Sequence, residues 1–198
     1  MVHWSVELRT MLRAVSILLP ADSNPAEHVN GIPVAALKHA GIPATRWASA
    51  SSWFGDCDAV VAHQADFDKA FVERHLTVDV PWICTREDVT WPKPSPGESL
   101  TAIALAHGVA IVAAHRALND CLALMRLLEA VPDIDERLAA GYEHAKLPKL
   151  RMVSLAPFEQ KDIVKEHGFK WDSARKQWWR VMAREDAEVL PFDTKPLD

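Results

Sequence analysis

At 198 residues, with 49% hydrophobic and 25% charged residues and a net charge of −5, the chain has the make-up of an ordinary globular protein with one sizeable core. Nothing reads as low-complexity disorder. The longest weakly polar run, Ala102 to Ala114, is broken by His107 and Gly108 and falls short of the about 20 residues that span a bilayer, so no membrane association is expected. Three scattered cysteines, Cys57, Cys84 and Cys121, with no CxxC pair, argue against a disulfide framework or a structural zinc site and predict a cytoplasmic protein.

Taken in chain order, Arg9 and Arg13 precede the apolar run Ala14 to Leu19. That run is at the short limit for a secretory signal core, and its flanks suit a strand equally well. Leu12 to Leu19 is read as a buried strand ended by Pro20. A loop follows, with Asn30-Gly31 as its turn signal. Val34 to His39 and Ala44 to Phe54 are predicted short helices. Ala59 to Ala62 is a buried strand, and Asp66 to His75 a helix with Phe67, Ala70, Phe71 and Val72 near one face. Val80 to Thr85 reads as another strand, and the proline-rich stretch Trp91 to Gly97 as a loop. Glu98 to Ala106, Asn119 to Ala130 (stopped by Pro132) and Asp135 to Ala145 are predicted helices. Pro148 marks a boundary between a body, residues 1–147, and a small module, residues 148–198. The module reads as a strand (Leu150 to Leu155), a helix (Phe158 to His167) and a strand (Gln177 to Met182). Alternating strands and helices imply an α/β body with a small α+β tail.

Charge is uneven along this plan. From His144 to Arg184 there are ten Lys/Arg against four Asp/Glu; of the chain's 22 and 27, twelve and 23 remain elsewhere. An acidic body beside a basic tail suits a carboxylate-rich site next to a phosphate-attracting surface.

Two stretches carry the chemistry. In Asp58-Ala59-Val60-Val61-Ala62-His63-Gln64-Ala65-Asp66-Phe67-Asp68 an apolar strand runs into a polar turn, and Asp68 arrives early on the following helix, at the sheet edge where α/β sites are built. In Ala113-Ala114-His115-Arg116-Ala117-Leu118-Asn119-Asp120-Cys121, His115 leads Asp120 by five positions. On one helix that spacing leaves the side chains about 140° apart. The two converge only if His115 precedes the helix while Asp120 points inward from its first turn.

The first stretch resembles the middle motif of the DnaQ-like (DEDDh) 3′→5′ exonucleases, with Asp68 on the family's metal-site Asp and Gln64 where Asn is usual. The second resembles the family's last motif, in which the His is the general base and the Asp binds metal. Asn24 to Ile32 looks like the family's "GI" segment. Pro81 to Thr85, Ser99-Leu100 and His107-Gly108-Val109 look like its middle strand and helix. The resemblance covers roughly Leu12 to Val131. It implies an RNase H-like (DnaQ-type) fold and metal-dependent removal of nucleotides from single-stranded DNA 3′ ends, with His115 as base and Asp68 and Asp120 as ligands. Two Mg²⁺ or Mn²⁺ ions about 4 Å apart are expected of that family.

The family also uses an Asp-x-Glu pair on its first strand. Here no such pair precedes Asn30-Gly31. Glu7 and Glu27 are isolated, and Asp186-Ala187-Glu188 lies in a late acidic run read as surface. The resemblance therefore implies a chain that starts after the family's first strand, with a sheet edge left open that a homodimer would bury. Two functions follow: an exonuclease, or a catalytically inactive nucleic-acid-binding or scaffolding homologue.

The tail resembles a small "GF-x-W-D … W-W" module appended to some nucleases and DNA-processing proteins. Its candidate nucleic-acid residues are Lys170, Trp171, Arg175, Lys176, Trp178 and Arg180, since single-strand binders combine stacking aromatics with cations. At least one of the tryptophans is expected in the module's own core, because so short a segment is poor in apolar surface.

Overall fold

In the computed structural model the described residues are 1–41, 43–111 and 116–197, and the side chains at 43, 44 and 46 fall outside them. The chain divides into two compact units, Met1–Ala145 and Lys146–Asp198. Among the described residues no helix is long and apolar enough to cross a membrane.

The first unit opens with a hairpin, β1 (Val2–Ser5) and β2 (Thr10–Ala14), paired antiparallel from Val2↔Ala14 to Ser5↔Thr10. The sequence predicts a buried strand from Leu12 to Leu19. Instead all five β2 residues are exposed, and Ile17 to Leu19 follow the strand without joining it. The partner strand explains the difference. β1 offers a ladder only as far as Val15, whose N–H meets the Met1 carbonyl at 3.0 Å. The burial falls to Trp4 of β1, which packs against the main core. At the hairpin turn Arg9 sits at φ +48° and extends its guanidinium to the carbonyls of Val131 (3.2 Å) and Pro132 (2.7 Å) and to Asp135 (2.9 Å).

Short helices α1 (Glu27–Asn30) and α2 (Val34–Lys38) and the longer α3 (Pro43–Phe54) lead to β3 (Val60–Ala62). Helix α4 (Ala65–Val72) then crosses over to β4 (Trp82–Cys84), which pairs parallel with β3 in the register Val60↔Trp82 and Ala62↔Cys84. Parallel pairing needs such a crossover, which here spans α4 and the loop after it.

Helices α5 (Leu100–Ala106), α6 (Ala117–Ala130) and α7 (Ile134–Ala145) close the core. Leu124, Leu127 and Leu128 lie three and four apart on α6, and Ile134 and Leu138 four apart on α7, so each helix turns one stripe inward. They enclose Ile83 and Val89 from the β4 region and Ile103 from α5. Helix α7 meets the chain after β4 through Gly141, where an added Cβ would lie 2.9 Å from the Asp88 carbonyl oxygen. The Asp88 carboxylate accepts from the Cys84 N–H at 2.6 Å and from His144 Nδ1 at 2.6 Å, so one acid fastens the end of β4 to the last turn of α7.

The second unit is an antiparallel sheet in the order β6-β7-β5-β8, formed by β5 (Lys149–Ser154), β6 (Lys170–Asp172), β7 (Gln177–Ala183) and β8 (Thr194–Pro196). Between β5 and β6 the expected single helix Phe158 to His167 is a 3₁₀ turn, Phe158–Gln160, followed by α8 (Lys161–Glu166). A further helix, α9 (Arg184–Glu188), joins β7 to β8. The core combines Met152, Val164, Phe169, Met182, Ala187 and Phe192. Ala187 of the Asp186-Ala187-Glu188 run is thus an anchor of this unit, with exposed Glu188 beside it.

Candidate active site

Two helix N-termini build the site in the first unit. Strand β3 ends at Ala62, and the chain turns through His63 and Gln64, the latter in the left-handed region at φ +62° and ψ +52°. That turn starts α4 abruptly and places Asp68 in its first turn. Helix α6 begins after an extended Arg116 (φ −112°, ψ 115°), and Asp120 lies in its first turn, its N–H bonded to the Arg116 carbonyl at 2.9 Å. Carboxylates are favoured at such positions by the helix dipole.

The charge of Asp120 reaches Asp68. Asp68 is exposed at the surface, yet crowding of its carboxyl by surrounding protein, and secondly the negative charge of Asp120, raise its pKa above the usual Asp value. Cys121 belongs to the same neighbourhood. Burial first of all pushes its thiol up, and the charges of Asp68 and Asp120 add to this, against the positive amino terminus. An acid held up by burial and by a neighbouring negative charge is one that a cation relieves. Two carboxylates with water completing the shell suit one Mg²⁺ or Mn²⁺. Among the described residues no group of three or more His, Cys, Asp or Glu side chains is placed to hold a metal ion, so the two-ion arrangement is not assembled from them. His115 lies outside the described residues.

His63, which sequence reasoning did not single out, is a structural staple. Its Nε2 donates to the Glu98 carbonyl oxygen at 2.7 Å, leaving Nδ1 to accept from the hydroxyl of buried Thr85 at 3.1 Å. Burial lowers its pKa and favours this neutral form. It binds the end of β3 to the residue after β4 and to the approach to α5, with neither ring nitrogen left for a substrate. The signal was its place at a strand end, where polar side chains tie loops together.

The Asn24 to Ile32 segment also reaches this region. The Asn24 amide donates to Asn30 Oδ1 (3.0 Å) and to the Ile32 carbonyl (2.8 Å), folding the loop around Gly31 at φ +61°. The Gly31 carbonyl accepts from Arg116 at 3.3 Å, beside the start of α6.

In the second unit the six tail residues fall in three places. Trp171 and Trp178 face each other across β6 and β7 on the core side of the sheet, their ring centroids 5.3 Å apart. Arg180, also on that side, donates to the His167 carbonyl at 2.7 Å. Arg175 and Lys176 are exposed in the β6–β7 turn, with Lys176 at φ +53°. Lys170 lies on the opposite face, in register with Trp179. The sequence offered a signal for this split: Trp178 and Trp179 are consecutive in a strand and must point to opposite faces.

A family model described as a domain of unknown function (DUF8626) matches residues 152–197. No curated protein matches the chain, and no solved structure does.

Proposed function

We propose that the first unit is a DnaQ-like, RNase H-like domain that removes nucleotides from DNA 3′ ends by metal-dependent phosphodiester hydrolysis. The observation that carries this reading is the placement of Asp68 and Asp120 in the first turns of two separate helices, with the Asp120 charge adding to the burial that raises the Asp68 pKa. The arrival of the Asn24 to Ile32 loop at Arg116 supports it, because it brings a third segment of the same resemblance to the start of α6.

In this reading Asp68 and Asp120 would hold one Mg²⁺ or Mn²⁺, which would supply positive charge to the phosphate under attack. His115, five positions ahead of Asp120, takes the proton of the attacking water. Arg116 ties the Gly31 turn to the start of α6. The basic tail holds the strand, through Arg175 and Lys176 in the exposed turn and through Trp171 at the sheet edge.

A second reading has its own observation. With no three-ligand group among the described residues, the Asp68–Asp120 pair serves a domain that binds nucleic acid without cutting it. End-labelled single-stranded DNA incubated with the protein and Mn²⁺, beside an Asp120→Ala control, separates the two. Shortening from the 3′ end that the control lacks supports the nuclease. Intact DNA retained on a native gel supports the binder, and neither digestion nor retention removes both.

A further inference from the structure

The strand register of the second unit defines a face that the tail motif does not reveal. Val153 pairs with Trp179 and with Lys195, and Trp179 pairs with Lys170, so these side chains share one face of the sheet. The buried core side carries Met152 and Met182 instead. On the other face, where Val153 itself is buried, the Arg151 guanidinium carbon lies 3.9 Å from the centre of the Trp179 ring. Arg151 Nη2 reaches Asp172 at 3.3 Å. Asp172 is itself fixed by the N–H groups of Ala174 and Arg175, each at 3.0 Å. These backbone bonds first of all, together with the nearby arginines, hold its carboxyl below the usual Asp range.

We propose that this face binds single-stranded nucleic acid, with one base stacked on the outer side of the Arg151 guanidinium. A guanidinium plane laid on an indole and locked at its end is a ready platform, and bases stack on arginine planes as they do on aromatic rings. The inference rests on the reading of the tail as the strand-holding part and places the bases on the face opposite Trp171 and Trp178. Charge selects the occupant. Lys170 and Lys195 are exposed on this face, and its acid, Asp172, is already engaged by Arg151. The ion pair neutralises Arg151, so Arg151 contributes stacking while the lysines meet phosphates. Val181, on the central strand of the same face, is 46% exposed and offers an apolar floor for a sugar or base edge.

The test uses the full chain in EDTA, with a fluorescent oligo(dT) and a salt series followed by anisotropy. Binding is expected, with log K falling linearly with log salt. The Lys170→Ala/Lys195→Ala variant should flatten that slope by about 1.4, two phosphate contacts' worth on a single strand. Arg151→Lys keeps the charge but loses the plane. It should leave the slope unchanged and weaken binding about tenfold. An abasic oligonucleotide of equal length should bind the native chain about as weakly as oligo(dT) binds the lysine-substituted arginine variant. No oligonucleotide binding, unchanged affinity in Arg151→Lys, or equal affinity for the abasic strand overturns the proposal. The nuclease assay is run in parallel on the native chain, so a failed nuclease assay with intact binding counts only against the first unit's reading. Cleavage without binding on this face counts only against the stacking platform.

Discussion

Gly141→Ala tests the packing that holds β4 in place. The added methyl would sit 2.9 Å from the Asp88 carbonyl oxygen, 3.2 Å from Ile83 Cγ2 and 3.4 Å from Val89 Cγ2. Alanine suits a helix interior better than glycine by about 1 kcal/mol. Overpacking a tight contact costs about 1–3 kcal/mol. The nearest obstacle is a backbone oxygen, which cannot rotate away, and the other two neighbours belong to the core. The cost therefore falls at the upper end, and the net destabilisation is about 2 kcal/mol. For a domain of this size that lowers Tm by about 4–8 °C. A thermal scan followed by far-UV circular dichroism measures it. Gly55→Ala is the comparison, since nothing lies within 4 Å of its Cβ position. That variant should melt at or slightly above the native temperature. A Gly141→Ala protein as stable as the native one would refute the seating of α7 on the Asp88 carbonyl.

Two further predictions rest on ionisation. The folded state raises the Asp68 pKa, so it holds that proton more tightly than the unfolded chain does. Stability from this group is fully present below the ordinary value of 3.8 and is lost as pH rises through the folded pKa. Asp68→Asn should therefore be more stable than the native chain at neutral pH in EDTA, with the gap closing toward acid. Adding Mn²⁺ should raise the urea midpoint of the native chain and leave that of the variant unmoved; equal responses would show that the pair binds no cation. His63 has the opposite sign. Its folded pKa is lowered, so stability should decline as pH falls below the ordinary value of 6.5. His63→Gln should remove that decline, and an unchanged pH profile would show that the ring is not held neutral.

Much of the secondary structure was legible because it rests on local pattern. Leu124, Leu127 and Leu128 announce α6, and Pro132 its end, without reference to the rest of the chain. The turn from β3 into α4 was legible for the same reason, and with it the position of Asp68. What the sequence concealed depends on partners. Four residues, Val2 to Ser5, become a strand because Thr10 to Ala14 lie alongside, and that pairing leaves Leu12 exposed. Strands β6 and β8 are equally short and equally dependent on their neighbours. The platform of Arg151 on Trp179 joins residues 28 positions apart through strand register. No local spacing encodes it.

Asp68 and Asp120 stand 52 positions apart in the chain, and only folding brings the Asp120 charge to bear on Asp68. Because burial first, and the Asp120 charge second, raise its pKa, Asp68 is an internal gauge of how closely the folded chain surrounds it. A carboxyl carbon resonance followed through a titration would read that gauge directly. Any substitution, ligand or solvent that opens the surroundings of Asp68 would show itself as a downward drift in its midpoint.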